Sequence, residues 1–280
     1  MTIRIVTDST CDLPADVAQR YGITIIPLYV HFGTRSYLDG IELSRREFYE
    51  MLPDSDAFPT TAVPGTTAFT TAYEGLATQG AGEIISIHIA GTLSATCDVA
   101  RKAAEETKSI PVTVFDPGQV TLGTGLAVLA AAEAAAEDKS MSAIVSLLED
   151  MAPRIHSYAA LDTVEFLRRS GRLTSIQYGL STILDIKPLI MMHSGELGSE
   201  RVRTGQGCLD RMIELVKGLG PLEQLALVHT NAPQKAEELY HEVRDLFPTD
   251  EAPLSVEVTP IIGAHVGPNA VGMVAVAAPA

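Results

Sequence analysis

The sequence predicts an α/β fold in two domains. Residues 1–153 form an N-terminal domain whose parallel sheet carries helices on both faces, and residues 154–280 form a mixed α+β domain. Three observations carry this expectation. Short apolar runs alternate with helical patterns through the first half, as crossover connections require. Runs such as Ile84-Ile85-Ser86-Ile87-His88-Ile89 lack polar alternation, as strands buried on both faces do. In the second half, two apolar runs flank Ser194-Gly195, which reads as a hairpin turn.

The elements follow in order. Residues 3–7, 23–32, 84–89 and 112–115 read as strands. Helical periodicity marks 15–21, 45–52, 67–78, 95–107, 122–136 and 142–151. The Ala-rich segment 122–136 is too short to span a bilayer and ends in charge, so it reads as a buried helix. Pro153 marks the domain boundary. Beyond it come strands at 158–161, 189–193, 196–203, 224–229, 254–262 and 271–277, with helices near 164–169, 209–217 and 234–246. No flexible linker separates the halves, so a tight interdomain cleft is expected, the kind of place where ligands bind.

Composition narrows the function. The chain has 280 residues, 46% of them hydrophobic, and a net charge of −15. A chain with that balance is globular, and it has no basic face for nucleic acid or an anionic membrane. It opens directly on a strand with no secretory signal pattern and has no membrane-spanning stretch, so a cytoplasmic location is expected. Cys11, Cys97 and Cys208 form no CxxC pair, and the seven His residues show no metal-binding spacing. Neither a metal nor a cofactor is expected, and no GxGxxG follows the first strand.

In a parallel sheet, ligands sit beyond the carboxyl ends of the strands. The polar residues there are Asp8, Ser9 and Thr10, the segment Gly91-Thr92-Leu93-Ser94-Ala95-Thr96, and Asp116-Pro117-Gly118. Asp8 and Asp116 also fit turn or helix caps, and Ser94 fits a plain N-cap. The Gly91–Thr96 segment has hydroxyls and free backbone N–H groups but no cation before Arg101, which suits a carboxylate or monoester phosphate better than a polyphosphate. Thr61 lies in a hydroxyl-rich loop between Pro59 and Pro64. His265 sits between Gly263 and Gly267 in what reads as a turn after a strand, where close approach is possible. Arg172 follows Gly171 past a helix end. A second arrangement, Ser94 and His265 with Asp8 or Asp116 as the acid, describes an acyl hydrolase or transferase, although no Gly-x-Ser-x-Gly elbow is present.

Six segments, in order, resemble the DegV family of fatty-acid-binding proteins. They are Thr7-Asp8-Ser9-Thr10-Cys11-Asp12-Leu13-Pro14, Thr61-Ala62-Val63-Pro64-Gly65, Leu93-Ser94-Ala95-Thr96, Phe166-Leu167-Arg168-Arg169-Ser170-Gly171-Arg172, Ile186-Lys187-Pro188, and Gly263-Ala264-His265-Val266-Gly267-Pro268. The resemblance implies two α/β domains enclosing one long-chain fatty acid. It implies a carboxylate held by Thr61, Ser94 and His265, with Arg172, Thr96, Asp8 and Ser9 as further head-group or partner contacts. It also implies a carrier that is not itself catalytic and that presents the carboxylate to a separate fatty acid kinase. The sequence departs from the family pattern at Ala62-Val63-Pro64-Gly65, where Ser, Gln and a second Ser are lost, and at Asn269, where Gly is common.

Overall fold

The structure is a computed structural model and describes residues 2–53, 55, 57–172, 187–249 and 253–279. In chain order the elements are β1 (Ile3–Asp8), α1 (Ala15–Tyr21), β2 (Thr24–Ile26), β3 (Tyr29–Phe32), β4 (Arg35–Leu38), α2 (Arg45–Met51) and β5 (Thr60–Ala62). There follow α3 (Thr66–Thr78), β6 (Glu83–Ile87), α4 (Thr96–Glu106), β7 (Val112–Phe115), α5 (Leu122–Ala136) and α6 (Met141–Met151). The second half contains β8 (Ile155–Ala160), α7 (Glu165–Arg169), β9 (Lys187–His193), β10 (Glu196–Val202) and α8 (Gly205–Gly218). It closes with β11 (Leu222–His229), α9 (Pro233–Val243), β12 (Leu254–Glu257), α10 (Pro260–Val266) and β13 (Val271–Ala277).

Among the described residues the strands form three sheets. The first is fully parallel, in the order β2-β1-β6-β7. The second is mixed, in the order β10-β9-β8-β13-β11-β12, with β11 and β12 parallel and the other pairs antiparallel. The third is a small antiparallel sheet, β4-β3-β5. The α/β class and the parallel first sheet agree with the sequence.

Helix α5 explains how the sheets come together. Leu122, Val128 and Ala131 share one apolar cluster with Ile5 and Ile87 of the parallel sheet and with Ile155, Val274 and Val276 of the mixed sheet. A helix flanked by sheets on two sides must be apolar nearly all round, and its alanines and glycines permit close approach. At Gly125 a Cβ would run into the Cys11 carbonyl, so the helix could not lie where it does with a larger residue there.

The structure corrects the sequence at three places. The strand expected over 23–32 breaks at Pro27 into β2 and β3, which belong to different sheets. Proline has no N–H to continue a ladder. The strand expected over 254–262 stops at Glu257, and Pro260 instead opens α10 at its first turn. An apolar run such as Pro-Ile-Ile-Gly-Ala reads alike as a buried strand or a buried helix. Finally, Thr61 lies on β5 and not in a loop. Strand β5 pairs with β3 through Val30↔Thr61, and β4 was not expected at all.

Candidate binding cavity

A cavity of about 540 Å³ opens between the carboxyl edge of the parallel sheet and one face of the mixed sheet. Its walls are mainly aliphatic. Leu28, Val63, Ile89 and Val120 come from the first half, and Met192, Val228, Ile262 and Val274 from the second. Thr61, Ser94, Arg172 and His265 all line it, as do Thr10, Thr121, Ser157, His229 and Thr230.

Thr61 and His265, 204 residues apart, are joined by a hydrogen bond of 2.9 Å between Thr61 Oγ1 and His265 Nε2. His265 is carried by the last turn of α10. The two glycines that flank it fix that helix in place. A Cβ on Gly263 would lie 2.6 Å from Tyr49 Oη, so α10 packs hard against α2. Gly267 has φ +75°, and a Cβ there would lie 2.5 Å from Phe166 Cδ2. The glycines therefore serve packing, and the imidazole between them is turned to the cavity wall.

Burial, aided by the charge of Arg172, lowers the His265 pKa to about 4. The ring is thus neutral at physiological pH. Its Nδ1 is buried and has no hydrogen-bond partner among the described residues. The Arg172 guanidinium donates to the Ser170 carbonyl at 2.7 Å and is itself held below its usual pKa by burial. It is a cation on the wall of the cavity that Ser94 also lines. Ser94 is not the N-cap of α4, a place taken by Ala95. Its hydroxyl instead shares a 2.8 Å hydrogen bond with Thr96 Oγ1.

The structure does not bring every expected residue to the cavity. Asp8, Ser9 and Thr96 are buried but do not line it. The Asp8 carboxylate is occupied within the fold. It accepts from Thr10 N and Oγ1, from Ile89 N and from His88 Nδ1 at 2.9 Å. Burial alone would raise its pKa, but these donors outweigh burial and lower it. The Ser9 hydroxyl accepts from Leu28 N. Thr96 reaches the site only through Ser94.

Nor do Ser94 and His265 form a triad. Asp8 is paired with His88, and Asp116 accepts from the Gly91 and Gly118 amides. A Ser-His-Asp series does occur elsewhere: Ser86 Oγ lies 2.7 Å from His88 Nε2, and His88 Nδ1 bonds Asp8. All three side chains are fully buried, and Tyr73 Oη covers Ser86 Oγ at 2.9 Å. Tyr73, Ser86, His88 and Asp8 thus form one continuous hydrogen-bonded series. This is a closed polar core with no access for substrate. Its sequence signal was Ser86-x-His88, two residues on the same face of a strand. Among the described residues no three His, Cys, Asp or Glu come together to hold a metal ion. Among them no helix is long and apolar enough to cross a membrane.

Fold and cavity together define an α/β protein with a mainly apolar cavity between its parallel and mixed sheets. The chain belongs to the DegV family, whose model (Uncharacterised protein, DegV family) matches residues 2–278. A DegV domain-containing protein of Streptomyces coelicolor is 36% identical over 277 residues, covering 97% of each chain. One from Deinococcus radiodurans is 37% identical over 278 residues, covering 98% of each. Among solved structures, a DegV family protein from Thermus thermophilus, described for its fatty acid binding, superposes with a TM-score of 0.91 at 31% identity, covering 99% of this chain and 100% of that one. DegV of Bacillus subtilis, a fatty acid binding protein, gives 0.90 at 30% identity with the same coverage.

Proposed function

We propose that this protein binds one long-chain fatty acid and presents its carboxylate to a separate fatty acid kinase, as a carrier and not as a catalyst. The observation that carries the binding half is the Thr61–His265 pair on the wall of a mainly aliphatic cavity. On this view residues 1–153 and 154–280 are the two domains that enclose the acyl chain.

A buried carboxylate must be fully hydrogen-bonded. Here Thr61 and Ser94 offer hydroxyl donors, His265 holds Thr61 in place, and Arg172 offers charge. With His265 Nε2–H donating to Thr61 Oγ1, the Thr61 hydroxyl keeps its own proton for a carboxylate oxygen. Burial of methylenes, at about 0.8 kcal/mol each, supplies chain affinity well beyond ordering costs of several kcal/mol. In the departing loop, Ala62 and Val63 line the cavity, so the lost hydroxyls are replaced by apolar wall. Asn269 keeps a left-handed backbone, φ 64°, where the family often has Gly.

Titration of lipid-stripped protein with palmitate and with its methyl ester tests the carboxylate assignment. Palmitate is expected to bind at least tenfold more tightly; equal affinities would sink the head-group site. The kinase role is tested by adding ATP and a purified fatty acid kinase to the loaded protein. Acyl phosphate, trapped with hydroxylamine, is expected only when both proteins are present.

A further inference from the structure

We propose that Asp12 and Arg45 are positioning residues of the head-group site, on the fatty-acid reading above. From the first half of the chain they grip the backbone at Glu257 and Thr259, and so fix where α10 carries His265 and, through it, the Thr61 hydroxyl.

Asp12 follows β1 in a left-handed backbone, φ 57°, which aspartate tolerates better than most residues. Its side chain is fully buried. Oδ1 accepts from Thr259 N at 2.6 Å, and Oδ2 accepts from Thr121 Oγ1 at 2.5 Å. Arg45 is the first residue of α2. Its Nη2 lies 3.8 Å from Asp12 Oδ1, and its Nη1 donates to the Glu257 carbonyl. The two side chains therefore hold the main chain on either side of Val258, which lines the cavity.

Thr259 is the N-cap residue of α10, and its own side chain makes no cap. The Asp12 carboxylate stands there instead, an anion at the positive end of the helix. Further along, Gly263 packs against Tyr49 of α2, the helix that also supplies Arg45. In the last turn His265 bonds Thr61 at 2.9 Å. All the partners of α10 at these three points belong to the first half of the chain. Thr259 and His265 are six residues apart, about 9 Å along the axis. A hydrogen bond tolerates only about 2.7–3.2 Å between its heavy atoms. A shift of about 1 Å at the start of so short a helix, carried to His265, takes the imidazole out of reach of Thr61.

The charge is held at a cost. Burial raises the Asp12 pKa to about 6, against Arg45 and the donors from Thr121 and Thr259. A buried ion pair adds little stability over apolar packing of the same size. What it supplies here is a fixed place for the helix that carries a binding residue.

The test is titration of the full-length, lipid-stripped protein with palmitate and with methyl palmitate. Asp12→Gly keeps the left-handed backbone and removes both acceptors. It is expected to lower the ratio of palmitate to ester affinity by about three- to tenfold, the value of one hydrogen bond. Asp12→Asn keeps an acceptor for Thr259 N and should recover a ratio above that of Asp12→Gly. Arg45→Gln, at a side chain 29% exposed, should lower the ratio as Asp12→Gly does, and it carries the test if Asp12→Gly does not fold. A merely structural role would lower Tm and weaken both ligands alike, leaving the ratio unchanged. In a Thr61→Val background either substitution should change the ratio by less than about twofold, because the route runs through Thr61. The proposal is overturned by a folded Asp12→Gly or Arg45→Gln protein whose ratio stays within about twofold of wild type, or by an undiminished fall in the Thr61→Val background. Wild-type protein that binds both ligands equally, or neither, would remove the underlying reading, and this one with it.

Discussion

Thr61→Val is the sharpest single test of the head-group site. The two side chains are near-isosteric and both β-branched, so the β5 backbone and its pairing with β3 have no reason to move. What is lost is one hydroxyl, 2.9 Å from His265 Nε2. Nδ1 of the same ring has no partner among the described residues, so neither ring nitrogen then has a hydrogen bond there. An unsatisfied buried polar group costs about 1–3 kcal/mol. In a chain of this size each kcal/mol lowers Tm by about 2–4 °C. The unliganded variant should therefore melt roughly 2–12 °C lower, as calorimetry would show. Loss of a donor to the carboxylate should also weaken palmitate binding by about 5- to 150-fold, the equivalent of 1–3 kcal/mol. Displacement of a fluorescent fatty acid measures this. Thr61→Ser keeps the hydroxyl and should restore most of the affinity. A folded Thr61→Val protein that binds palmitate within twofold of wild type would refute the assignment.

Three further outcomes follow from the packing and the buried charges. Gly267→Ala forces a Cβ onto Phe166 in a left-handed backbone and should cost about 2–4 kcal/mol in urea unfolding; a loss below 0.5 kcal/mol would contradict the packing described. Asp8→Asn removes the anion that accepts from Thr10, His88 and Ile89, and should cost on the order of 3 kcal/mol. Asp39 is buried, and burial, with Asp12 nearby and only Ser9 and Arg45 opposing, raises its pKa to about 7. A carboxyl with a folded pKa above its unfolded value holds its proton longer when folded, so its contribution to stability falls as pH rises from about 4 to 7. Asp39→Asn should therefore gain on wild type between pH 5 and pH 8. Denaturation curves at the two pH values check this, and a gain no larger at pH 8 than at pH 5 would contradict it.

Much of the scaffold was legible because its elements carry strong, local patterns. Helix α5 falls where its Ala-rich run predicted, since a helix between two sheets is apolar on every side. The parallel sheet was legible from strands without polar alternation. The site was legible only in part. Three-residue strands such as β5 carry too little pattern to be seen, and α10 shares its apolar run with a buried strand. The Thr61–His265 contact joins segments 204 residues apart, and no local signal announces it. Thr10, Thr121 and Ser157 were missed as cavity residues for a related reason. Their neighbours along the chain say nothing of the wall they share. Conversely Asp8 looked like a ligand-facing acid at a strand end, but the fold spends its carboxylate on His88 and three other donors.

The central claim is that the cavity between the sheets holds a fatty acid. Native mass spectrometry of the protein as purified from a lipid-containing host, with gas chromatography of the extracted lipid, tests it most directly. The account predicts one long acyl chain per polypeptide, released on denaturation and exchanged for added palmitate. Protein that carries no acyl chain, and takes none up when palmitate is supplied, would contradict it.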